Sequence, residues 1–204
     1  MTKSGFRRFV PEMGTTPHFG KSTQQFFDAV IPARGPKEKA AVEKYLSTPF
    51  KGITTDGNIV PGLFSLRPES APTREILQAV SVLLAHLSPE QREVVCLPLQ
   101  SRERELWQNS IARYERFGLR LDEVSDGLQE AAMAVVRSSL SAAGYQKARN
   151  LMKLNAFLGE LVGAPKLLGE WSYQLHIYGA PSLTEPWGWQ LTGHHLIITC
   201  FVLG

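Results

Sequence analysis

Two adjacent imidazoles, His194 and His195, follow the run Pro186-Trp187-Gly188-Trp189-Gln190-Leu191-Thr192-Gly193, and a third, His176, lies on the preceding apolar stretch. Imidazole exchanges its proton near neutral pH, so these three are the candidates for a catalytic general base or acid. Two imidazoles and a carboxylate, such as Glu170 or Glu185, would also suit a divalent metal that activates water. That set needs His176 and one of the pair on the same face of a sheet. Adjacent strand residues face opposite sides, so His194 and His195 join one metal site only if Gly193 introduces a bulge. The competing structural role is simpler: each histidine makes one hydrogen bond and fixes the loop.

Other residues nearby could contact a substrate. Trp187 and Trp189, one glycine apart, can clamp a flat ligand between rings, or can cover the end of a sheet. Ser182 sits in Gly179-Ala180-Pro181-Ser182. Beside a histidine it could be activated, but it lacks a Gly-x-Ser-x-Gly elbow and precedes a loop, which favours a turn cap. Trp107 stands among Arg102, Arg104 and Arg113, whose forked donors suit a carboxylate or phosphate. Glu103, Glu105 and Glu115 interleave with them, which favours a solvated face of paired charges. No glycine-rich phosphate loop or dinucleotide fingerprint occurs, and no motif names a cofactor. Cys96 and Cys200 match no metal or redox spacing and read as small apolar residues.

These residues need a scaffold, and 204 residues with 43% apolar content suffice for one core. Residues 1–36, broken by Pro11, Pro17, Pro32 and Pro36, read as an irregular arm, and residues 37–204 as a single α+β domain. Lys37–Tyr45 suits a short helix. Between 48 and 72, Asn58–Val60 and Leu63–Leu66 suit short edge strands. Thr73 reads as the cap of a helix whose Ile76, Leu77, Val80, Leu83 and Leu84 share a face. Ser88-Pro89-Glu90-Gln91 is a capping box with proline in the first turn. Ser125 reads as the cap of a helix ending at Gly144, followed by one from Tyr145 to Gly163. After Gly169 the period falls to two. Residues 171–178 and 189–203 read as two antiparallel strands joined by a long Gly/Pro/Trp loop, with the helices layered on their sheet. Leu196–Leu203 is apolar on both faces and so needs a neighbour on each edge.

The stretches LSPEQRE (Leu87–Glu93), RELW (Arg104–Trp107), GLRLDEVS (Gly118–Ser125), SLSAAGYQKARNLMKLN (Ser139–Asn155), YGAPS (Tyr178–Ser182) and PWGWQLTGHHL (Pro186–Leu196) occur in an order that resembles the DUF3500 family, from about Lys37 onward. The family is a domain of unknown function, so the resemblance implies kinship and not chemistry. It implies a histidine after the tryptophan at the place where Trp107 is followed by Gln108. It also implies longer members, of which this sequence resembles the first half or so.

Net charge is +3, too small and too evenly spread for a nucleic-acid surface. No apolar run reaches the length of a membrane span, and Met1–Arg8 precedes no apolar secretory core. The expectation is a soluble cytoplasmic protein that binds a small molecule. Hydrolytic or lyase-type chemistry fits better than redox, with His176, His194 or His195 as base or metal ligand. The alternatives are a non-catalytic ligand- or partner-binding protein, or an inactive fragment of a longer enzyme.

Overall fold

Ile76, Val80 and Leu83 recur at helical spacing, and all three are buried on one side of a helix, α2 (Thr73–His86), in the computed structural model. The structure describes the chain apart from residues 1–4, 6–11, 13, 17–18, 22, 50–53, 55, 59, 63–70, 107–117 and 204. Chain direction changes after α2 because Pro89 forces Ser88 into an extended conformation. Ser88 has φ −65° and ψ 162°, and its hydroxyl accepts from the Gln91 N–H while Gln91 Oε1 accepts from the Ser88 N–H. The capping box therefore forms as expected and opens α3 (Pro89–Val95).

Two further helices complete this layer. α4 (Asp126–Ser139) buries Leu128, Ala131, Ala132, Val135 and Val136, and its alanines let α2 approach closely. α5 (Ala142–Val162) buries Ala148, Met152, Asn155 and Gly159. Gly163, at φ 70°, ends it in the left-handed conformation that glycine adopts without cost.

The sheet lies beneath. β3 (Tyr173–Tyr178), β4 (Trp187–Gly193) and β5 (Leu196–Val202) form an antiparallel meander. Two short strands, β1 (Cys96–Leu97) and β2 (Leu119–Arg120), share the outer edge of β3. β1 runs parallel to β3, so the five strands found among the described residues make a mixed sheet. The α+β class holds, with helices on the sheet; the sheet is not wholly antiparallel. Tyr173, Leu175, Ile177, Trp187, Trp189 and Leu191 meet the helices in one core. No helix among the described residues is long and apolar enough to cross a membrane.

Several local expectations are corrected. The stretch 23–36 is not irregular: α1 (Thr23–Ser47) runs through Pro32 and Pro36. Each proline forgoes one ladder hydrogen bond, and the good helix formers of Lys37–Lys44 continue the helix beyond both. Thr73 is the first helical residue and not the cap; Pro72 holds that position, without a side-chain hydrogen bond. Ser125 occupies the cap position of α4 but its side chain caps nothing. The break between α4 and α5 falls at Leu140–Ser141 and not at Gly144, because the Ser141 hydroxyl accepts from the Gly144 N–H at 3.1 Å and starts the new helix earlier. Asn58 and Val60 are in no strand, and Ile59 and residues 63–66 lie outside the described residues. Residues 189–203 are not one strand either. Trp187–Gly193 and Leu196–Val202 are two, turning at His194 and His195.

Candidate functional site

The turn between β4 and β5 has two histidines at its centre. Gly193 pairs with Leu196, leaving His194 and His195 as the two central residues. His195 has φ 58° and is the sole non-glycine residue with a left-handed backbone among those described. Left-handed backbone is uncommon outside glycine, though histidine adopts it more readily than most residues, as asparagine and aspartate do. Gly193 is also required here. Its β3 partner is Tyr173, whose ring occupies the space that a side chain at 193 would need. Lying across Gly193, the Tyr173 hydroxyl donates to the His194 carbonyl at 3.2 Å. Burial pushes the Tyr173 phenol up to about 12.

His194 is half-buried and points back to α5, where its Nδ1 lies 2.9 Å from Oδ1 of Asn155. Asn155 is 4% exposed and donates through Nδ2 to the Gly169 carbonyl at 2.8 Å. Gly169 belongs to the loop between α5 and β3, which is itself fastened. Its N–H donates to Ser172 Oγ at 3.0 Å, Ser172 donates to Asp122 at 3.2 Å, and Asp122 accepts from Arg120 Nε at 2.8 Å. A continuous chain of hydrogen bonds thus runs from Arg120 in β2 and Asp122 just after it to the hairpin turn. Nε2 of His194 makes no hydrogen bond to any described residue. The rings of His194 and His195 lie with centroids 3.9 Å apart, tilted by 35° to one another. Burial first, and then the neighbouring His195, hold the His194 imidazole below its ordinary pKa, so it is neutral at neutral pH.

His176 is elsewhere. It lies opposite Gln190 in mid-sheet, fully buried on the face that also carries Gln174, Tyr178 and Thr192. This second face is polar yet covered. Gln190 donates to Thr199 Oγ1 and to the Arg104 carbonyl, both at 2.9 Å, and Gly118 packs so tightly on His176 that a Cβ there would sit 2.5 Å from the ring. His194 reaches the helical side, so His176 and the pair do not meet. Glu170 is held by Arg149, and among the described residues no group of three or more histidine, cysteine, aspartate or glutamate side chains could hold a metal.

The aromatic and serine candidates do structural work. Trp187 and Trp189 are fully buried in the core, donating through Nε1 to the Ser182 carbonyl at 2.9 Å and to Ser139 Oγ at 3.0 Å. Ser182 Oγ accepts from the Thr184 and Glu185 N–H groups and fastens the β3–β4 loop. Trp107 and Arg113 lie outside the described residues. Arg102 is paired with Glu105 and donates to the Leu46 carbonyl at the end of α1. The residue that sequence reasoning missed is Asn155. Its signal was available: it is the one amide on the stripe Ala148, Met152, Asn155, Gly159 that α5 buries.

A family model described as "Protein of unknown function (DUF3500)" matches residues 69–204, two thirds of the chain. The chain belongs to the DUF3500 family. The match begins at residue 69, later than the resemblance from about Lys37 suggests, and it contains the whole sheet, α2 to α5 and every residue of the hairpin site. Comparison with curated proteins and with solved structures returned no match.

Proposed function

We propose that this DUF3500 chain is an enzyme acting on a small organic molecule by general acid–base chemistry of the hydrolase or lyase type, with His194 as the base. The observation that carries this reading is the state of His194: one ring nitrogen anchored to a buried amide, the other without a partner among the described residues, and the imidazole biased toward its neutral form. A neutral, oriented imidazole with a lone pair on Nε2 can take a proton from an attacking water, or from a carbon next to a carbonyl. The resulting imidazolium returns that proton to the leaving group. His195, exposed and with its ring tilted against the first, is placed to contact the substrate.

A second reading is a binding protein without turnover. It is favoured by the buried tryptophans and the fully engaged Ser182, which leave the aromatic wall expected around a substrate unbuilt by Trp187 and Trp189. The two readings part in a turnover screen. The parent protein and His194→Gln are assayed against simple esters, amides, lactones and hydroxy acids. The enzyme reading expects turnover by the parent and loss of about 100-fold or more in the variant, the usual weight of a general base. No turnover across the panel, or equal rates in both proteins, contradicts it.

A further inference from the structure

We infer that Asn155 is a positioning residue that locks His194 in the tautomer with its proton on Nδ1. The inference deepens the reading of His194 as a base and rests on it for its functional meaning. It starts from the amide, whose two ends are not interchangeable. The Gly169 carbonyl can only accept a hydrogen bond, so the atom of Asn155 facing it must be Nδ2. Oδ1 is then the atom facing His194, and it too can only accept. Nδ1 of His194 must therefore carry the proton, and Nε2 must carry the lone pair. Free imidazole side chains favour the opposite tautomer, so the protein has to impose this one.

The anchor behind the amide is firm. Asn155 sits on the buried face of α5, so its backbone is fixed by the helix. The Gly169 carbonyl also accepts from the Ser172 N–H at 3.3 Å, the Ser172 hydroxyl accepts from the Gly169 N–H, and that hydroxyl donates in turn to Asp122. Gly159, one turn beyond Asn155, lets the Pro165–Leu168 segment close on the helix, which brings Gly169 within reach. Ring orientation and tautomer of His194 are thus set by the α5–β3 loop through a single amide.

The test is a long-range 1H–15N spectrum of protein labelled with 15N-histidine, recorded above neutral pH without substrate. Of the five histidines, the His194 signals are those absent from the His194→Gln spectrum. In the parent, His194 is expected as the Nδ1–H form; an Nε2–H form overturns the inference. Asn155→Leu, of similar volume, should shift the tautomer ratio toward Nε2–H by about five- to tenfold, the weight of one hydrogen bond. An unchanged ratio in that variant overturns the inference. Where Asn155→Leu does not fold, the parent spectrum decides. A protein that holds the Nδ1–H tautomer but turns nothing over refutes the catalytic reading alone, because the spectrum needs no substrate.

Discussion

Replacing Gly159 by alanine should destabilise the protein, although the same exchange in an open helix position stabilises. Alanine is the better helix former by about 1 kcal/mol. Gly127, exposed in the first turn of α4, has nothing within 4 Å of where a Cβ would stand. Gly127→Ala should therefore gain about 0.5–1 kcal/mol. At Gly159 a Cβ would fall well inside van der Waals contact of the Leu168 carbonyl oxygen, and 3.1 Å from both the Leu168 carbonyl carbon and the Pro165 Cα. These are backbone atoms and cannot rotate away. The segment must lift, yet Leu168 is 4% exposed and the Ala164 N–H is bonded to the Gly159 carbonyl at 2.8 Å. Overpacking of this kind costs about 1–3 kcal/mol. Lifting the segment also stretches the Asn155–Gly169 hydrogen bond, at about 1 kcal/mol more. Set against the propensity gain, the net loss is about 2 kcal/mol. For a chain of this size that lowers Tm by about 4–8 °C, whereas Gly127→Ala should raise it by about 1–4 °C. Thermal melts followed by circular dichroism, with urea unfolding as a check, measure both. A Gly159→Ala variant as stable as the parent would refute the close packing of loop on helix that holds Gly169.

Other outcomes follow from the same geometry. Ser88→Ala removes one arm of the capping box and should cost about 1 kcal/mol, read as a shift of the urea midpoint. The folded pKa of His194 lies below its unfolded value, so the unfolded chain binds the proton first; its contribution to stability is full above about pH 6.5 and is lost as the pH falls through the depressed value. His194→Gln should flatten that part of the stability–pH curve. Tyr173 titrates in the opposite sense. Its phenol is raised to about 12, so its contribution is lost as the pH rises from about 10 toward that value, and an ultraviolet titration should find one tyrosine ionising late. Trp189→Phe leaves Ser139 without its buried indole partner and should lower stability by about 1–3 kcal/mol in chemical unfolding.

Much of the scaffold is legible in the sequence because it depends on neighbours along the chain. The spacing of Ile76, Val80 and Leu83, the Ser88–Gln91 box and the left-handed Gly163 each determine local structure through residues within a few positions. The alternation of residues 171–178 likewise marks β3. The site is less legible, for three reasons. Histidine is not a usual turn residue, and apolar residues resume at Leu196 directly after His194 and His195, so pattern alone reads straight through a turn enforced by Tyr173 over Gly193. Asn155 gains its meaning from Gly169 and His194, of which the latter is 39 positions away. β1 and β2, two residues each, are too short to show a period and exist because β3 offers them an edge. The polar residues of β3 and β4 alternate as a solvated face would, but Arg104 lies against Gln190 and Gly118 against His176.

Whether His194 acts as a neutral base is read from the pH dependence of kcat/KM on the substrate the screen identifies. A protonated Nε2 cannot accept a proton, so kcat/KM should stay level through neutrality and fall on the acid side, with a midpoint below the ordinary histidine value of about 6.5. That acid limb should vanish in the residual activity of His194→Gln. A parent profile with no acid limb, or a limb that survives in His194→Gln, would contradict the account.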